Sequence, residues 1–538
     1  MVPVRAAAQQ NVVFVLIDAL RADRIDATRN GVPVMPYLSG LSAVRFTNAV
    51  SPAASTLLAM TSLFTSEYVD THGVFVVGSP LPSNLQAMAA YFKQSGYTTI
   101  GIQTNGNLTA QQGFGQGFDQ YDDLTANGGA SAAVVTAQAL TASQSLGQPF
   151  FLYVHYIDPH LPYIPPQSYR TLFGYPDPAL TPSEKAIVED FIPYFNDHLN
   201  YVMGLQPAPT FPVLSAVGKE SVRTLYDGEA RYADDQVHIL LDDILTRYPN
   251  TVVVVLADHG DHLWEHNFLS HTVTAYEQLT HVPLFIKAPG LAPANVGDIV
   301  DSVDLLPTLA GLLGLPAKPV WQGHSLFAPH DPQGPAFSRA KYVGAYNVDL
   351  AAARLGPVKV ICNRRTGALE LYNLATDPGE AVNLAQQQPA LLKQMLTLLN
   401  LHLRQNARQN GADDVLWSEP AGAVEVGMRL HLVAPEGVGH VWFKNGQPFD
   451  DNPPGLTGNG TQSLLLSPLA GSDSGVYECM YSDAGENLRI TGPLTVDVLA
   501  AGTLPIFGMG TAALMVVSFA GLGGFLLRRR GGRPLNIQ

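Results

Sequence analysis

Cysteine and charged residues are both scarce in this chain. Only two cysteines, Cys362 and Cys479, occur among 538 residues, so a framework of several disulfides is excluded. Charged residues make up 14% and apolar residues 46%, a balance that permits a large core and argues against global disorder. The formal net charge of −15 argues against nucleic acid as the main partner. A chain of this length is expected to fold as more than one domain.

No apolar segment typical of a signal peptide is visible at the start, whereas the C-terminus carries a long apolar run. Residues 504–527 contain no charge and are followed directly by Arg528, Arg529 and Arg530. Such a run is long enough to cross a bilayer, and the arginines are expected on the cytoplasmic side. Residues 504–530 therefore predict a single transmembrane helix, with the bulk of the chain exported and anchored at the cell surface. The segment also resembles bacterial sorting signals, which are cleaved, so that alternative stays open.

Two apolar runs that end in acidic residues organise the larger part of the chain. The first run covers residues 11–17 and ends in Asp18, and the second covers residues 251–257 and ends in Asp258 and His259. Runs of this kind are typical of strands buried on both faces of a parallel sheet. Ligands of open α/β sheets bind at the carboxyl ends of the strands. The two runs therefore predict that carboxylates and an imidazole meet there around a cation.

Composition and pattern divide the chain into an α/β part and a smaller all-β part. Apolar strand-like runs alternate with helical patterns through the first part, which predicts a doubly wound α/β domain over residues 10–405. Residues 406–421 are polar and contain glycine and proline, as expected of a linker. Residues 422–499 contain short alternating runs separated by turn residues, which predict a small β-sandwich.

Two motifs in the all-β part resemble an immunoglobulin-like domain. Residues 442–446 read Trp-Phe-Lys-Asn-Gly, and residues 473–479 read Asp-Ser-Gly-Val-Tyr-Glu-Cys. The first cysteine of that pattern is missing, because its position falls near Leu432 or Val433. Cys479 is therefore expected to be a buried apolar residue rather than half of a disulfide.

A hydroxyl-rich segment lies between the two acidic runs. Ser55 and Thr56 precede a helix-like apolar pattern, so Thr56 is expected at a helix N-terminus, where free N–H groups favour an anion. A coordinated hydroxyl there can act as a nucleophile. The simpler alternative is that these hydroxyls only cap the helix.

The order of these pieces resembles the sulfatase-like branch of the alkaline phosphatase superfamily. The resemblance covers nearly all of residues 10–405, and its segments follow the order of the family. The segments around the expected site are 18–23, 56–65, 158–163, 258–261 and 270–271, and those beyond it are 96–105, 113–119, 276–284, 303–309 and 370–384. The resemblance implies an alkaline-phosphatase-like, mostly parallel sheet and a reaction at an ester of sulfate or phosphate.

The resemblance also implies roles for individual side chains. These are Asp18, Asp258 and His259 as ligands of one divalent cation (Ca, Mg, Mn or Zn), Thr56 as the nucleophile, His160 and His271 as substrate-binding or proton-transferring groups, and Asn105 as a group that binds an anion oxygen. Each histidine taken alone could equally be a packing or surface residue. Asp23, His262 and His266 are interpreted as structural or solvent-facing.

Three departures from the family pattern matter for the chemistry. Sulfatases convert a Cys or Ser within a Cys/Ser-x-Pro-x-Arg motif to formylglycine, but residues 56–60 here read Thr-Leu-Leu-Ala-Met. Formylglycine is therefore not expected. Ala19 stands where the family usually has a second acidic residue, which removes one metal ligand. Gln148 stands where a lysine often occurs.

We therefore predict a metal-dependent, formylglycine-independent hydrolase of phosphate or sulfate esters at the cell surface. The expected substrate is a small-molecule, glycan or lipid ester, and no nucleic acid is expected as a partner. One alternative is a transferase that moves a phospho-group between lipid or glycan alcohols. Another is a catalytically degenerate protein used for adhesion or binding.

Overall fold

The computed structural model describes residues 9–501, except 126–128, 145, 344–345, 410–414, 420–423, 450–455 and 458–459. The strands up to residue 373 are β1 (Asn11–Ile17), β2 (Thr28–Arg29), β3 (Val32–Pro33), β4 (Val44–Val50), β5 (Thr98–Gln103), β6 (Gln120–Asp123), β7 (Phe150–Tyr156), β8 (Thr251–Leu256), β9 (His262–Leu263), β10 (Leu269–Ser270), β11 (His281–Lys287), β12 (Ala294–Asp301), β13 (Ala336–Tyr342), β14 (Val348–Leu355), β15 (Val358–Asn363) and β16 (Leu369–Asn373). The helices are α1 (Pro36–Ser39), α2 (Thr56–Thr65), α3 (Val69–His72), α4 (Met88–Gln94), α5 (Ala132–Ser143), α6 (Gln167–Leu172), α7 (Pro182–Glu189), α8 (Phe191–Val202), α9 (Ala216–Arg247), α10 (Glu277–Thr280), α11 (Leu305–Leu313) and α12 (Pro389–Gln409).

An eight-stranded mixed sheet organises the larger part of the chain, in the order β12-β4-β11-β8-β1-β7-β5-β6. Strand β1 is central and parallel to both β7 and β8, whereas β11 runs antiparallel to its two neighbours. Every residue of β1, β7 and β8 is buried, as their continuous apolar sequences predict. Helices α2, α4, α5, α9 and α11 bury their apolar residues in the same core as the sheet. The predicted α/β fold is confirmed.

A second, four-stranded antiparallel sheet, β13-β14-β15-β16, follows the large one. Helix α12 packs against β14 and β15 through Met395, Leu399 and Leu403, which are almost completely buried. The helix continues to Gln409 and therefore enters the segment predicted as a linker, residues 406–421. That prediction is corrected at this boundary, because Asn406 and Ala407 are buried and belong to the packed helix.

The C-terminal part of the described chain consists of short β-strands. They are β17 (Trp417–Glu419), β18 (Val424–Glu425), β19 (Leu430–Val433), β20 (Val438–Lys444), β21 (Gln447–Pro448), β22 (Leu456–Thr457), β23 (Ser463–Leu466), β24 (Gly475–Ser482), β25 (Leu488–Ile490), β26 (Leu494–Val496) and β27 (Val498–Leu499). Strand β17 pairs with β19, so the predicted linker also ends earlier than residue 421.

The core of this β region contains residues of both immunoglobulin-like motifs. Trp442 lies opposite Cys479 in the pairing of β20 with β24, and both side chains are fully buried. The Tyr477 hydroxyl donates a hydrogen bond of 2.6 Å to the carbonyl oxygen of Asp473. Cys479 and Cys362 are free thiols, so neither forms a disulfide in the structure. The immunoglobulin-like assignment stays a prediction.

The β region and the α/β part share a packed interface. Phe443 and Met480 are buried in one apolar cluster with Leu399 and Leu403 of α12. Glu478, whose side chain is 3% exposed, pairs with Arg404 at the same interface. The described β region is therefore packed onto the α/β part rather than joined to it by a linker alone.

Within the described residues, no helix is both long and apolar enough to cross a membrane. The predicted transmembrane segment, residues 504–530, lies outside the described residues.

Candidate active site

Three neighbouring parallel strands bring their polar ends to one edge of the large sheet. Asp18 follows β1, Asp258 follows β8 after Ala257, and His155 lies near the end of β7. In the register of β1 with β7, His155 stands opposite Leu16, two residues before Asp18. Parallel alignment therefore places two carboxylates and an imidazole together at the carboxyl edge of the sheet.

Asp18, Asp258 and His259 form a group that fits a metal ion. Each offers one ligand atom, these atoms lie within 4.8 Å of one another, and all three residues are buried. The Nδ1 atom of His259 lies 2.8 Å from the Gly260 carbonyl oxygen, which can only accept a hydrogen bond. The proton of a neutral imidazole is therefore on Nδ1, and the lone pair of Nε2 faces the two carboxylates.

One carboxylate oxygen in this group has no hydrogen-bond partner. Asp258 Oδ1 accepts hydrogen bonds from the backbone N–H groups of Ala19, at 3.2 Å, and His259, at 2.9 Å. Asp258 Oδ2 is buried and accepts none. A buried carboxylate oxygen without a donor is destabilising unless a cation is close to it. The donor set of two carboxylates and one imidazole therefore fits a single divalent cation.

The pKa values of these three residues are shifted as expected for a cluster of buried carboxylates. Burial raises the pKa of Asp18, but the facing His160, His155 and His259 outweigh burial and hold that pKa well below its usual value. Burial and the charge of Asp18 raise the pKa of Asp258. Burial lowers the pKa of His259, but Asp258 and Asp18 outweigh it and raise that pKa. Two crowded carboxylates of this kind gain from a bound cation.

The Thr56 hydroxyl points into the centre of the group. Thr56 is the first residue of α2, it is 3% exposed, and its Oγ1 atom lies 3.1 Å from His259 Nε2. The same oxygen lies 3.4 Å from Asp18 Oδ1. Ser55, the residue before the helix, makes no side-chain cap, so neither hydroxyl of the pair caps α2 as the simpler alternative requires. The N-terminal position exposes Thr56 to the positive end of the helix dipole.

Asn105 and His155 hold the other oxygen of Asp18. Asn105 Nδ2 donates to Asp18 Oδ2 at 2.6 Å and also lies 3.4 Å from Thr56 Oγ1. His155 Nε2 lies 3.0 Å from the same carboxylate oxygen, and its Nδ1 lies 3.0 Å from the Tyr153 hydroxyl. These contacts fix the direction in which Asp18 presents Oδ1 to the centre of the site.

His271 and His160 stand on the outer side of His259. The ring centroids of His259 and His271 are 4.3 Å apart, and those of His160 and His271 are 4.9 Å apart. His160 Nδ1 donates to the Leu161 carbonyl oxygen at 2.7 Å, because a carbonyl only accepts. Both outer histidines therefore flank the group that contains Thr56.

Asp261 orients His271. It is fully buried, its Oδ1 atom lies 2.8 Å from His271 Nδ1, and its Oδ2 atom accepts a hydrogen bond of 2.9 Å from the Tyr163 hydroxyl. With Nδ1 of His271 on the carboxylate, Nε2 is left for substrate. Burial, followed by the charge of His259, lowers the pKa of His271 to about 4. The imidazole is therefore neutral at neutral pH.

Backbone strain accompanies these positions. Ala19, Ser270 and Thr272 have φ angles of 57°, 64° and 89°, in the left-handed region that favours glycine. Each such residue costs about 1–3 kcal/mol, and strain of this kind is common at functional sites. The Ala19 conformation lets its N–H reach Asp258, and the other two residues flank His271.

The three residues interpreted as structural lie outside the group. Asp23 pairs with Arg21, His262 is buried with its Nε2 atom 2.7 Å from Thr274 Oγ1, and the His266 ring stacks on Tyr276 with centroids 3.8 Å apart. These interactions direct all three side chains to partners other than Thr56 and the ligand group.

Two residues of the site, His155 and Asp261, have no role in the sequence-based prediction. The sequence signal for His155 is its place at the end of a strand that pairs with the strand leading to Asp18. The signal for Asp261 is weaker, because its partner His271 is ten residues further along a loop.

Comparison with known proteins finds a relative that covers more than two thirds of the chain. A family model described as sulfatase matches residues 10–315, more than half of the chain. An uncharacterized sulfatase, YidJ, of Escherichia coli (strain K12) is 24% identical over 424 residues, which cover 70% of this chain and 82% of that protein.

Solved structures with the same fold include enzymes that act on different esters. A phosphonate monoester hydrolase from Silicibacter pomeroyi has a TM-score of 0.59 and 23% identity, covering 74% of this chain and 96% of that chain. A protein solved with its substrate D-glucosamine-2-N,6-O-disulfate has a TM-score of 0.62 and 17% identity, covering 74% of this chain and 98% of that chain. At these identities the likeness shows the fold alone.

Proposed function

The chain belongs to the sulfatase family, and from that premise we propose that it is a metal-dependent hydrolase of sulfate or phosphate esters with Thr56 as the covalent nucleophile. The position of the Thr56 hydroxyl carries the proposal. It is buried at a helix N-terminus, 3.1 Å from His259 Nε2 and 3.4 Å from Asp18 Oδ1. A hydroxyl so placed is suited to in-line attack on an anionic ester.

The residues after Thr56 make the mechanism independent of formylglycine. Residues 56–60 contain neither the modifiable Cys or Ser nor the Pro and Arg of the formylglycine motif. The family's usual nucleophile therefore has no precursor at this position, and the threonine hydroxyl takes its place.

Asp18, Asp258 and His259 would hold one divalent cation. When bound, the cation supplies positive charge that lowers the pKa of a hydroxyl and neutralises the ester oxygens. Asn105, which reaches both Asp18 and Thr56, is placed to donate to an ester oxygen as well.

The chain's own groups account for the two steps. Thr56 Oγ1 forms a bond to sulfur or phosphorus while the bond from that atom to the alcohol oxygen breaks. The hydroxyl proton is released to water, because Asp18, whose pKa lies well below its usual value, is too weak a base to hold it. His160, protonated before the reaction, gives a proton to the departing alcohol oxygen and recovers one from the water that hydrolyses the ester on Thr56. Neutral His271, with its Nδ1–H on Asp261, presents the lone pair of Nε2 to the substrate. Sulfate or phosphate then leaves, and the Thr56 oxygen regains a proton from water, which restores the hydroxyl.

Two structural relatives leave both ester classes open. One is a phosphonate monoester hydrolase and the other has a sulfated glucosamine as its substrate. We retain from the sequence the proposals that the protein is exported, that it is anchored through residues 504–530, and that residues 422–499 form an immunoglobulin-like domain.

A substrate panel tests the proposed function. 4-Nitrophenyl sulfate, 4-nitrophenyl phosphate, bis(4-nitrophenyl) phosphate and a phenylphosphonate ester would be assayed with Ca²⁺, Mg²⁺, Mn²⁺ or Zn²⁺. We expect turnover of at least one ester with at least one metal, its loss after chelation, and a sulfo or phospho group on the Thr56 peptide by mass spectrometry. The Thr56→Ala variant is the control, and it should show neither turnover nor a sulfo or phospho group on that peptide. Absence of turnover under every condition, or equal turnover by Thr56→Ala, would overturn the proposal. Products formed only with an added acceptor alcohol would instead identify a transferase.

A further inference from the structure

A cavity of about 290 Å³ opens beside the two outer histidines. His160 and His271 form one wall of it, and Leu199 of α8 and Tyr342 of β13 line the remainder. Its volume is at the small end of the range for small-molecule sites. Since both histidines lie on its wall, the cavity is placed to hold the alcohol part of an ester attacked by Thr56.

The lining combines aromatic and aliphatic side chains with polar residues that carry no fixed charge. Phe195 and Leu199 come from α8, and Tyr342 and Tyr346 come from the end of β13 and the connection to β14. The rings of Tyr342 and Tyr346 are 5.2 Å apart between centroids. Asn196 and Thr272 add uncharged polar groups. Flat apolar faces of this kind contact rings favourably.

No Lys, Arg, Asp or Glu occurs among the described residues that line the cavity. The two residues of the β13–β14 connection outside the described part, 344 and 345, are glycine and alanine in the sequence. The described lining offers no Lys or Arg, and only its histidines could carry positive charge. An alcohol with its own sulfate or carboxylate at the far end of its ring would therefore bring in a second charge that has no lysine or arginine to pair with, which is costly when that charge loses water.

The lysine that precedes the cavity residue Tyr342 in the sequence does not point into the cavity. Lys341 precedes Tyr342 on β13, so its side chain leaves the opposite face of the strand. It is 2% exposed, it donates to the Glu486 carbonyl oxygen in the β region, and its Nζ atom lies 3.9 Å from the centre of the Phe75 ring. Lys341 therefore contributes to the interface between the α/β part and the β region and does not line the cavity.

We propose that this cavity is the leaving-group subsite and that it selects esters of an uncharged, ring-bearing alcohol. The proposal rests on the proposed function of Thr56 and narrows its substrate class. It sets this chain apart from relatives whose substrate carries further sulfate groups, such as the glucosamine disulfate of one structural relative.

The test compares matched esters that differ by one charge. 2-Naphthyl sulfate and 2-naphthyl phosphate would be compared with the same esters carrying a sulfonate at the far end of the ring system. We expect wild-type kcat/KM to favour the uncharged ring by about tenfold or more. Asn196→Lys adds a cation at an exposed position of the lining and should reduce that preference by about tenfold.

Ile192→Lys is the matched control. Ile192 lies on the same helix, is 38% exposed and is not part of the cavity lining. The same charge there should leave the preference of the wild type unchanged. Equal use of both esters by the wild type, or the same response to both lysine variants, would overturn the assignment.

Binding measurements separate this proposal from the proposed function. 2-Naphthol and its sulfonate would be titrated into Thr56→Ala protein, where turnover plays no part. We expect 2-naphthol to bind more tightly than its sulfonate, and Tyr342→Ala to weaken 2-naphthol about tenfold. If these results hold while no ester is hydrolysed, the function of Thr56 is wrong and the subsite stands. If esters are hydrolysed but neither binding result holds, the subsite is wrong and the nucleophile stands.

Discussion

Replacement of Thr56 by valine separates a nucleophile from a buried hydrogen-bonding residue. Valine keeps the β-branched shape at the start of α2 and removes only the hydroxyl. Without it the site loses the 3.1 Å approach to His259 Nε2 and the two 3.4 Å approaches to Asp18 and Asn105. All three are at the long end of hydrogen-bond distances, so the free energy of unfolding should fall by only about 1 kcal/mol.

The expected loss of activity is much larger. Removal of a covalent nucleophile costs about three orders of magnitude in kcat or more. A thousandfold loss corresponds to roughly 4 kcal/mol of transition-state stabilisation, since each tenfold change is about 1.4 kcal/mol. The change in activity should therefore exceed the change in stability severalfold.

The assay compares Thr56→Val with Thr56→Ser. Initial rates with the best ester of the panel and urea unfolding would be measured for both variants. Serine keeps the hydroxyl and deletes one buried methyl group, so it should lose about 1 kcal/mol of stability and less than tenfold in kcat. If Thr56→Val kept more than a tenth of the wild-type kcat, Thr56 would not be the nucleophile, because a valine side chain cannot attack the ester.

Three further predictions concern the metal, pH and the domain interface. The Asp258→Ala variant lacks the carboxylate oxygen that has no hydrogen-bond partner, so elemental analysis should find no bound divalent cation. Added metal should no longer stabilise this variant in thermal unfolding. Retained metal would contradict the assignment of the ligand group. Burial lowers the pKa of both His72 and His402 to about 3. The unfolded chain then binds protons that the folded chain cannot, so the free energy of unfolding should fall as pH drops from about 6.5 towards 3, by up to roughly 1.4 kcal/mol per pH unit for each histidine. His402→Gln should reduce that slope in urea titrations at pH 5 and 7, and an unchanged slope would argue against it. Arg404→Ala and Glu478→Ala should couple by about 0.5–3 kcal/mol in unfolding free energy, and additive effects would mean that the β region does not pack on α12.

The ends of the buried strands were predictable because of local pattern. Continuous apolar runs identified β1 and β8, and the acidic residues that follow them are Asp18 and Asp258. Parallel strands put their carboxyl ends at one edge, so the meeting of these residues needed no further information. Thr56 could be placed at a helix start for a similar local reason.

The contact between Asp261 and His271 could not be predicted, because no local sequence pattern gives the distance between these two side chains. Asp261 reaches His271 because the antiparallel strands β9 and β10 fold the chain back on itself. The left-handed residues of their turn, Trp264, His266 and Asn267, include no glycine that would announce it in the sequence. The predicted start of the linker, at residue 406, was wrong for a different reason. Residues 406–409 are polar in sequence apart from Ala407, but packing against the β region keeps them helical.

The sequence by itself determined the fold class, the family pattern and the identity of the groups at the strand ends, because apolar runs and motif order are local properties. Only the tertiary structure decided which atoms meet: it leaves one oxygen of Asp258 without a hydrogen-bond partner, and it places the hydroxyl of Thr56 beside Nε2 of His259, whose Nδ1 faces the Gly260 carbonyl oxygen. It also decided the character of the cavity beside His160 and His271, since that lining comes from α8 and β13, which are remote in sequence. Long-range packing selects one geometry from the many that the same residues could adopt.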